Sequence, residues 1–297
     1  MCCTRPKNRP GHFHDQWAHR KVFRGTLYRD DNKKRDTLLP NSNPIENIPR
    51  EKGHRADDLS PALLVGPRNV ASGWMAEIGH RLITLMPYKA VGTTVFMTLF
   101  FVAYLHLLHH PVHPVTMMPL TPIDHWIRFE PWSLPIYLTL WVYVSLAPAL
   151  IESKRVLFGY AAAIGGVCVI GLVIFWLWPT AVPAPQIDWA RSPGFGALKN
   201  VDGTGNACPS LHVATAIFSG FWLHQLLRLS RAPSWLLIFN ALWCVAIIYS
   251  TMATKQHVFL DVAAGVVLGA VGAIFSLKLL LRHEKAMPPR TIANPSA

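Results

Sequence analysis

The chain has 297 residues, 51% of them hydrophobic and 15% charged, which is too apolar for an ordinary soluble domain of this length. Its formal charge of +12 is unevenly spread, because residues 1–89 hold 16 of the 28 lysines and arginines. A basic balance suits nucleic acid or an anionic membrane surface, and the long uncharged runs that follow residue 89 exclude the first and favour the second.

Residues 1–70 are rich in Arg, Lys, Asp, Asn and Pro without a sustained apolar period. They read as a mobile cytoplasmic segment that lies against anionic lipid headgroups or has no specific partner. The first 60 residues lack the apolar core of a secretory signal. Cys2 and Cys3 read equally as lipid-modified or as exposed thiols. Residues 71–88 have the pattern of an interfacial amphipathic helix.

Six apolar stretches follow, near 90–109, 133–151, 156–178, 210–228, 234–252 and 257–281, each about long enough to cross ~30 Å of hydrocarbon as a helix. The expected fold is therefore all-α, an integral membrane bundle of six transmembrane helices. It divides into a basic segment at 1–89, a membrane domain at 90–281 and a cytoplasmic tail at 282–297. Trp126, Trp132, Trp176, Trp178 and Trp189 fall near span ends on one side, as an aromatic belt does. With a cytoplasmic N-terminus, the cytoplasmic gaps after residue 89 carry eight Lys and Arg, against Arg128, Arg191, Lys199 and Lys255 on the other side. That bias obeys the positive-inside rule. Both termini are then cytoplasmic, and the loops near 110–132 and 179–209 face outward.

Two segments carry the chemistry. In "NACPSLHVATAIF" (206–218), Pro209 suits a first helical position, so a helix would begin at Pro209–Ser210. A helix start offers backbone N–H groups and a positive dipole end to a phosphate, Ser210 adds a hydroxyl, and His212 sits in the first turn. In "YSTMATKQHVFLDVAAGVVLG" (249–269), His257 and Asp261 are four apart, a spacing that shares a helix face. A carboxylate beside an imidazole holds one ring nitrogen protonated and leaves the other to attack. The bland alternatives are an interfacial histidine at a helix start and a His–Asp helix cap. No third ligand for a metal is evident, and no cofactor is called for. Alternating spans place His212 and His257 at the same outer face, 45 residues apart in sequence. "HLLHHPVH" (106–113) resembles a metal-binding tract in composition only, and "GVVLG" (265–269) suits close helix packing.

These residues resemble the type 2 phosphatidic acid phosphatase superfamily. The resemblance covers roughly residues 90–281. Its second motif, Pro-Ser-x-His, is matched by Pro209, Ser210 and His212. Its third, Ser-Arg-x5-His-x3-Asp, is matched by Ser250, His257 and Asp261, with Thr251 in place of the arginine. "KQHVFLDVAAG" is most similar to the branch of the inositol phosphorylceramide synthases. The first motif, Lys-x6-Arg-Pro, is missing; Ala184 and Pro185 stand where Arg-Pro is expected. Lys255 and Arg191 are the nearest replacements for its phosphate-binding charge, ahead of Lys199.

The resemblance implies a membrane lipid-phosphate phosphatase that needs no metal. His257 would form a phosphohistidine, Asp261 would orient it, and His212 would act as acid and then base. Ser210, Lys255 and Arg191 would hold the phosphate. An alcohol acceptor in place of water would make the enzyme a phosphotransferase, and a non-catalytic lipid-binding relative is the remaining alternative. A transporter is disfavoured, because the spans carry neither Gly/Pro breaks nor mid-span charges. Oligomeric state is not legible in the sequence.

Overall fold

The computed structural model describes residues 73–185 and 205–285. Among them α1 (Trp74–Ile83) is a short amphipathic helix within the 71–88 segment, and α2 (Met86–His109) follows after a turn at Leu85, whose φ of 60° breaks the helix. Pro87 starts α2, where a missing N–H costs nothing. A short strand β1 (Thr116–Met117) and helix α3 (Pro122–Trp126) lie in the next loop. The segment Pro131–Ala149 is a 3-10 turn, then α4 (Leu134–Leu138) and α5 (Leu140–Ala149). The long helix α6 (Lys154–Leu177) leads to strand β2 (Thr180–Ala181). Three more helices complete the bundle: α7 (Leu211–Leu229), α8 (Ser234–Ala253) and α9 (Phe259–Lys285).

Among the described residues the fold is all-α apart from a parallel two-residue pairing, Thr116 with Thr180 and Met117 with Ala181, and an antiparallel bridge between Ala181 and Gly205. Among the described residues five helical segments are long and apolar enough to span a membrane: Met86–His109, Pro131–Ala149, Lys154–Leu177, Ser234–Ala253 and Phe259–Leu280. Their outer faces carry exposed Val91, Val95, Leu99, Val102, Ile238, Leu242, Val245, Val267 and Val271, an apolar surface that water would not tolerate. The sixth stretch expected, near 210–228, is α7, a 19-residue helix that is not among the five. It is the central helix, packed by α5, α6, α8 and α9, with Phe218, Ser219 and Trp222 fully buried. Surrounded by protein, it keeps polar side chains that a lipid-facing helix excludes. Ser219 meets the hydroxyl of Tyr160 at 3.2 Å, and the Gly220 carbonyl accepts from Asn240 at 3.1 Å.

Packing is closest between α7 and α9. A Cβ on Gly265 would overlap the carbonyl oxygen of Ser210, and one on Gly269 would overlap that of Ala214. The small-residue spacing lets the two backbones meet, and the Ser210 N–H donates to the Asp261 carbonyl at 2.9 Å.

The two ends of the bundle are tied differently. At one end, Arg81 is fully buried and donates to Glu77 and to the Leu150 carbonyl, while Lys89 donates to the carbonyls of Arg81 and Ala149. At the other end, β1 and β2 join the loops that follow α2 and α6. The Ala207 N–H donates to the Thr180 carbonyl, and the Asn206 amide to the Tyr104 carbonyl. Trp126, Trp132, Trp176 and Trp178 are exposed at this second end, whereas Trp189 lies outside the described residues.

Candidate active site

The site lies at the second end, where α7 and α9 begin. Ser210 is the N-cap of α7, its hydroxyl accepting from the Val213 N–H at 3.3 Å, and the helix starts at Leu211. Pro209 therefore stands before the cap and not inside the first turn, because serine is the better cap. His212 occupies the second helical position. The α8–α9 turn is closed by the N–H groups of Gln256 and His257, both donating to the Thr251 carbonyl, with Lys255 at φ 58°. His257 belongs to this turn and not to α9, which begins at Phe259. Asp261 is the third residue of α9 and reaches back, as the acidic half of a capping box does. Its Oδ1 accepts from the Val258 N–H at 3.0 Å, and its Oδ2 takes the His257 Nδ1 contact at 2.8 Å.

His257 Nε2 stands 3.1 Å from His212 Nδ1, and His212 Nε2 stands 3.0 Å from the hydroxyl of Tyr137 on α4. The four residues form one hydrogen-bonded row: Asp261, His257, His212, Tyr137. Asp261 is fully buried, His257 is 7% exposed and Tyr137 2%. The buried carboxylate accepts from two N–H donors and so fixes the ring it holds. With Nδ1–H of a neutral His257 given to Asp261, its Nε2 carries the lone pair.

Both histidines line a cavity of about 660 Å³. The cavity is walled by α2, α5 and α6 and reaches from His212 and His257 down to Pro87 and Lys89, including Phe96, Phe100 and Trp141 on the way. At 1.5 Å per residue, Pro87 to Tyr104 is about 25 Å, most of the ~30 Å thickness of a hydrocarbon core. The row is thus a pair of imidazoles and a carboxylate at one end of a long apolar crevice. Such a pair is equipped for nucleophilic attack and proton transfer.

Of the three residues expected to hold phosphate, the two described ones, Ser210 and Lys255, have other partners. Ser210 is fully buried, its hydroxyl engaged as the cap. The Lys255 ammonium donates to the carbonyls of Asp124, at 3.1 Å, and Ile127. Burial lowers the Lys255 pKa, an effect the Asp124 charge opposes. Arg191 and Lys199 lie outside the described residues.

Two contributors escaped the sequence reading. Asp124 caps α9 from the loop that follows α2, its Oδ1 accepting from the Phe259 N–H at 2.8 Å while Oδ2 accepts from the Thr121 N–H at 2.7 Å. The Thr121-x-x-Asp124 capping box was a readable signal for it. Tyr137 carried no such signal, being one aromatic in an apolar run. Cys208, next to the site, is held near a pKa of about 11 by burial and by the Asp261 charge, so its thiol stays protonated and is no nucleophile at neutral pH. Among the described residues no group of three or more His, Cys, Asp or Glu is placed to hold a metal ion.

No curated protein matches this chain. No solved structure matches it either. A family model does match, that of the PAP2 superfamily, over residues 152–285. The segment contains α6 to α9 and with them Ser210, His212, His257 and Asp261. Five long apolar helices and this match agree with a membrane lipid-phosphatase or phosphotransferase type of enzyme. Over residues 152–285 the chain resembles the PAP2 superfamily.

Proposed function

We propose that the protein is a six-span membrane enzyme that hydrolyses a lipid phosphate through a phosphohistidine on His257, at the extracytoplasmic face. The observation that carries this reading is the Asp261–His257–His212 row opening onto the apolar crevice. In the first step the His257 Nε2 lone pair attacks phosphorus and the phosphorus–oxygen bond to the lipid breaks. The leaving oxygen takes a proton from His212. In the second step the oxygen of water attacks the phosphohistidine, His212 takes the water's proton, and the phosphorus–nitrogen bond breaks. The products are a lipid alcohol and inorganic phosphate. Asp261 balances the positive charge that His257 acquires. The first turn of α7 offers backbone N–H groups beside His212 for the phosphoryl oxygens. In this reading Ser210 shapes that turn, and Lys255 and Arg191 add positive charge near it.

A second reading, transfer to an alcohol as in inositol phosphorylceramide synthases, is favoured by one observation: His257 is buried at the end of an apolar crevice, where water is scarce.

The test is phosphate release from a panel of lipid phosphates by the purified protein, with and without chelator and with and without added inositol. The expected result is chelator-resistant release that falls by at least about 10³-fold in His257→Ala, because the covalent route is lost. Activity unchanged in that variant sinks the mechanism. Loss of the lipid phosphate that occurs only with an alcohol acceptor, giving the phosphorylated alcohol and no inorganic phosphate, selects the transferase.

A further inference from the structure

The row fixes more than the nucleophile. Asp261 takes the Nδ1–H of His257, so the Nε2 of a neutral His257 is an acceptor. The His212 nitrogen facing it, Nδ1, then carries a proton. A phosphoryl group entering between the rings meets His257 Nε2 and His212 Nδ1, so Nδ1 is the nitrogen that works as acid and base. The other nitrogen, Nε2, belongs to Tyr137 in both halves of the reaction.

We propose that Tyr137 is a positioning residue for His212, whose hydroxyl follows the ring through both of its protonation states. When His212 is neutral, with its proton on Nδ1, the Tyr137 hydroxyl donates to Nε2. When His212 is the imidazolium that serves as the acid, Nε2 bears a proton, keeps it after Nδ1 has given its own to the leaving oxygen, and the same hydroxyl turns to accept it. A hydroxyl serves both states; a carbonyl accepts only, an ammonium donates only, and a phenyl ring does neither. The setting is suited to this. Tyr137 is 2% exposed, its ring centroid is 5.4 Å from that of His212, and Trp141 meets the imidazole edge-on at 6.3 Å. The ring is therefore gripped on two sides, and its free rotation is suppressed. Tyr137 lies outside residues 152–285, so this part of the site is supplied by a stretch that the family match does not cover. The inference rests on the phosphohistidine reading above.

The discriminating variable is the leaving group. An alkyl phosphate expels an alkoxide that needs the His212 proton, whereas p-nitrophenyl phosphate expels a stable phenolate that does not. Phosphoenzyme formation is measured under single-turnover conditions in the full-length protein with a long-chain alkyl phosphate and with p-nitrophenyl phosphate. In Tyr137→Phe the rate from the alkyl phosphate is expected to fall by about 10- to 100-fold, and that from p-nitrophenyl phosphate by no more than about threefold, because only the first needs a held acid. Equal slowing with both substrates overturns the role of Tyr137, since damage to the fold does not distinguish leaving groups. Should Tyr137→Phe fail to fold, Tyr137→Gln decides. Its amide keeps a donor and an acceptor, so the ratio of the two rates stays near wild type, and a collapsed ratio overturns the proposal. A wild-type protein that forms no phosphoenzyme from either substrate sinks the phosphohistidine reading and this inference with it.

Discussion

At the scale of single residues, the site depends on polar atoms that are buried and fully used. Lys255 shows how position changes a role. Its ammonium sits among the carbonyls of Asp124 and Ile127, which clasps the loop after α2 over the turn bearing His257. Lys255→Met leaves those acceptors without their donor, and a loss of about 1–3 kcal/mol is expected. The check is thermal unfolding of the purified protein together with steady-state kinetics. A lower Tm with little change in KM supports the clasp, whereas an unchanged Tm with a raised KM would return Lys255 to the phosphate. The sequence carries good warning of His212, His257 and Asp261, because each sits in a short motif whose chemistry is local. It gave none of Tyr137, which reaches His212 across 75 residues of chain.

At the scale of elements, the α7–α9 contact sets the distance between the two histidines. Gly265 lies against the Ser210 carbonyl, one turn beyond Asp261, where any side chain must push α9 away from α7. Gly265→Ala is expected to lower kcat by about 10-fold or more, since misplacement of reacting groups by 1 Å costs about 10²-fold. Substrate turnover and near-ultraviolet circular dichroism together check this, with activity lost before global structure. The expected helix limits shifted for a related reason. Periodicity places Pro209 and His257 within helices, but Ser210 and the turn closed on the Thr251 carbonyl define the starts one or two residues later. Caps are set by which oxygen finds the N–H groups, and periodicity carries no record of that.

At the scale of the whole molecule, the crevice connects the site to the opposite end of the bundle. Gly92 lines it, and a Cβ there meets nothing within 4 Å, so a large side chain at this position enters open space. In the proposed function the crevice holds the chain of the lipid. Gly92→Trp is then expected to reduce turnover of long-chain phosphates by about 10-fold, a loss of ~1.4 kcal/mol in transition-state stabilisation, while short-chain phosphates are unaffected. A chain-length series of alkyl phosphates checks it, and equal effects at all lengths would place the chain elsewhere.

The sequence by itself determined the membrane character and the location of the long helices, because apolar length is a local property that the bilayer reads directly. It also determined the residues of the His–Asp pair, whose four-residue spacing is local. Only the tertiary structure decided that α7 is a buried central helix, for its polarity is explained by the helices around it and not by its own composition. Only the tertiary structure joined His212 to both His257 and Tyr137, because those contacts cross 45 and 75 residues and depend on how closely the backbones of α7 and α9 pack and on where α4 lies beside them.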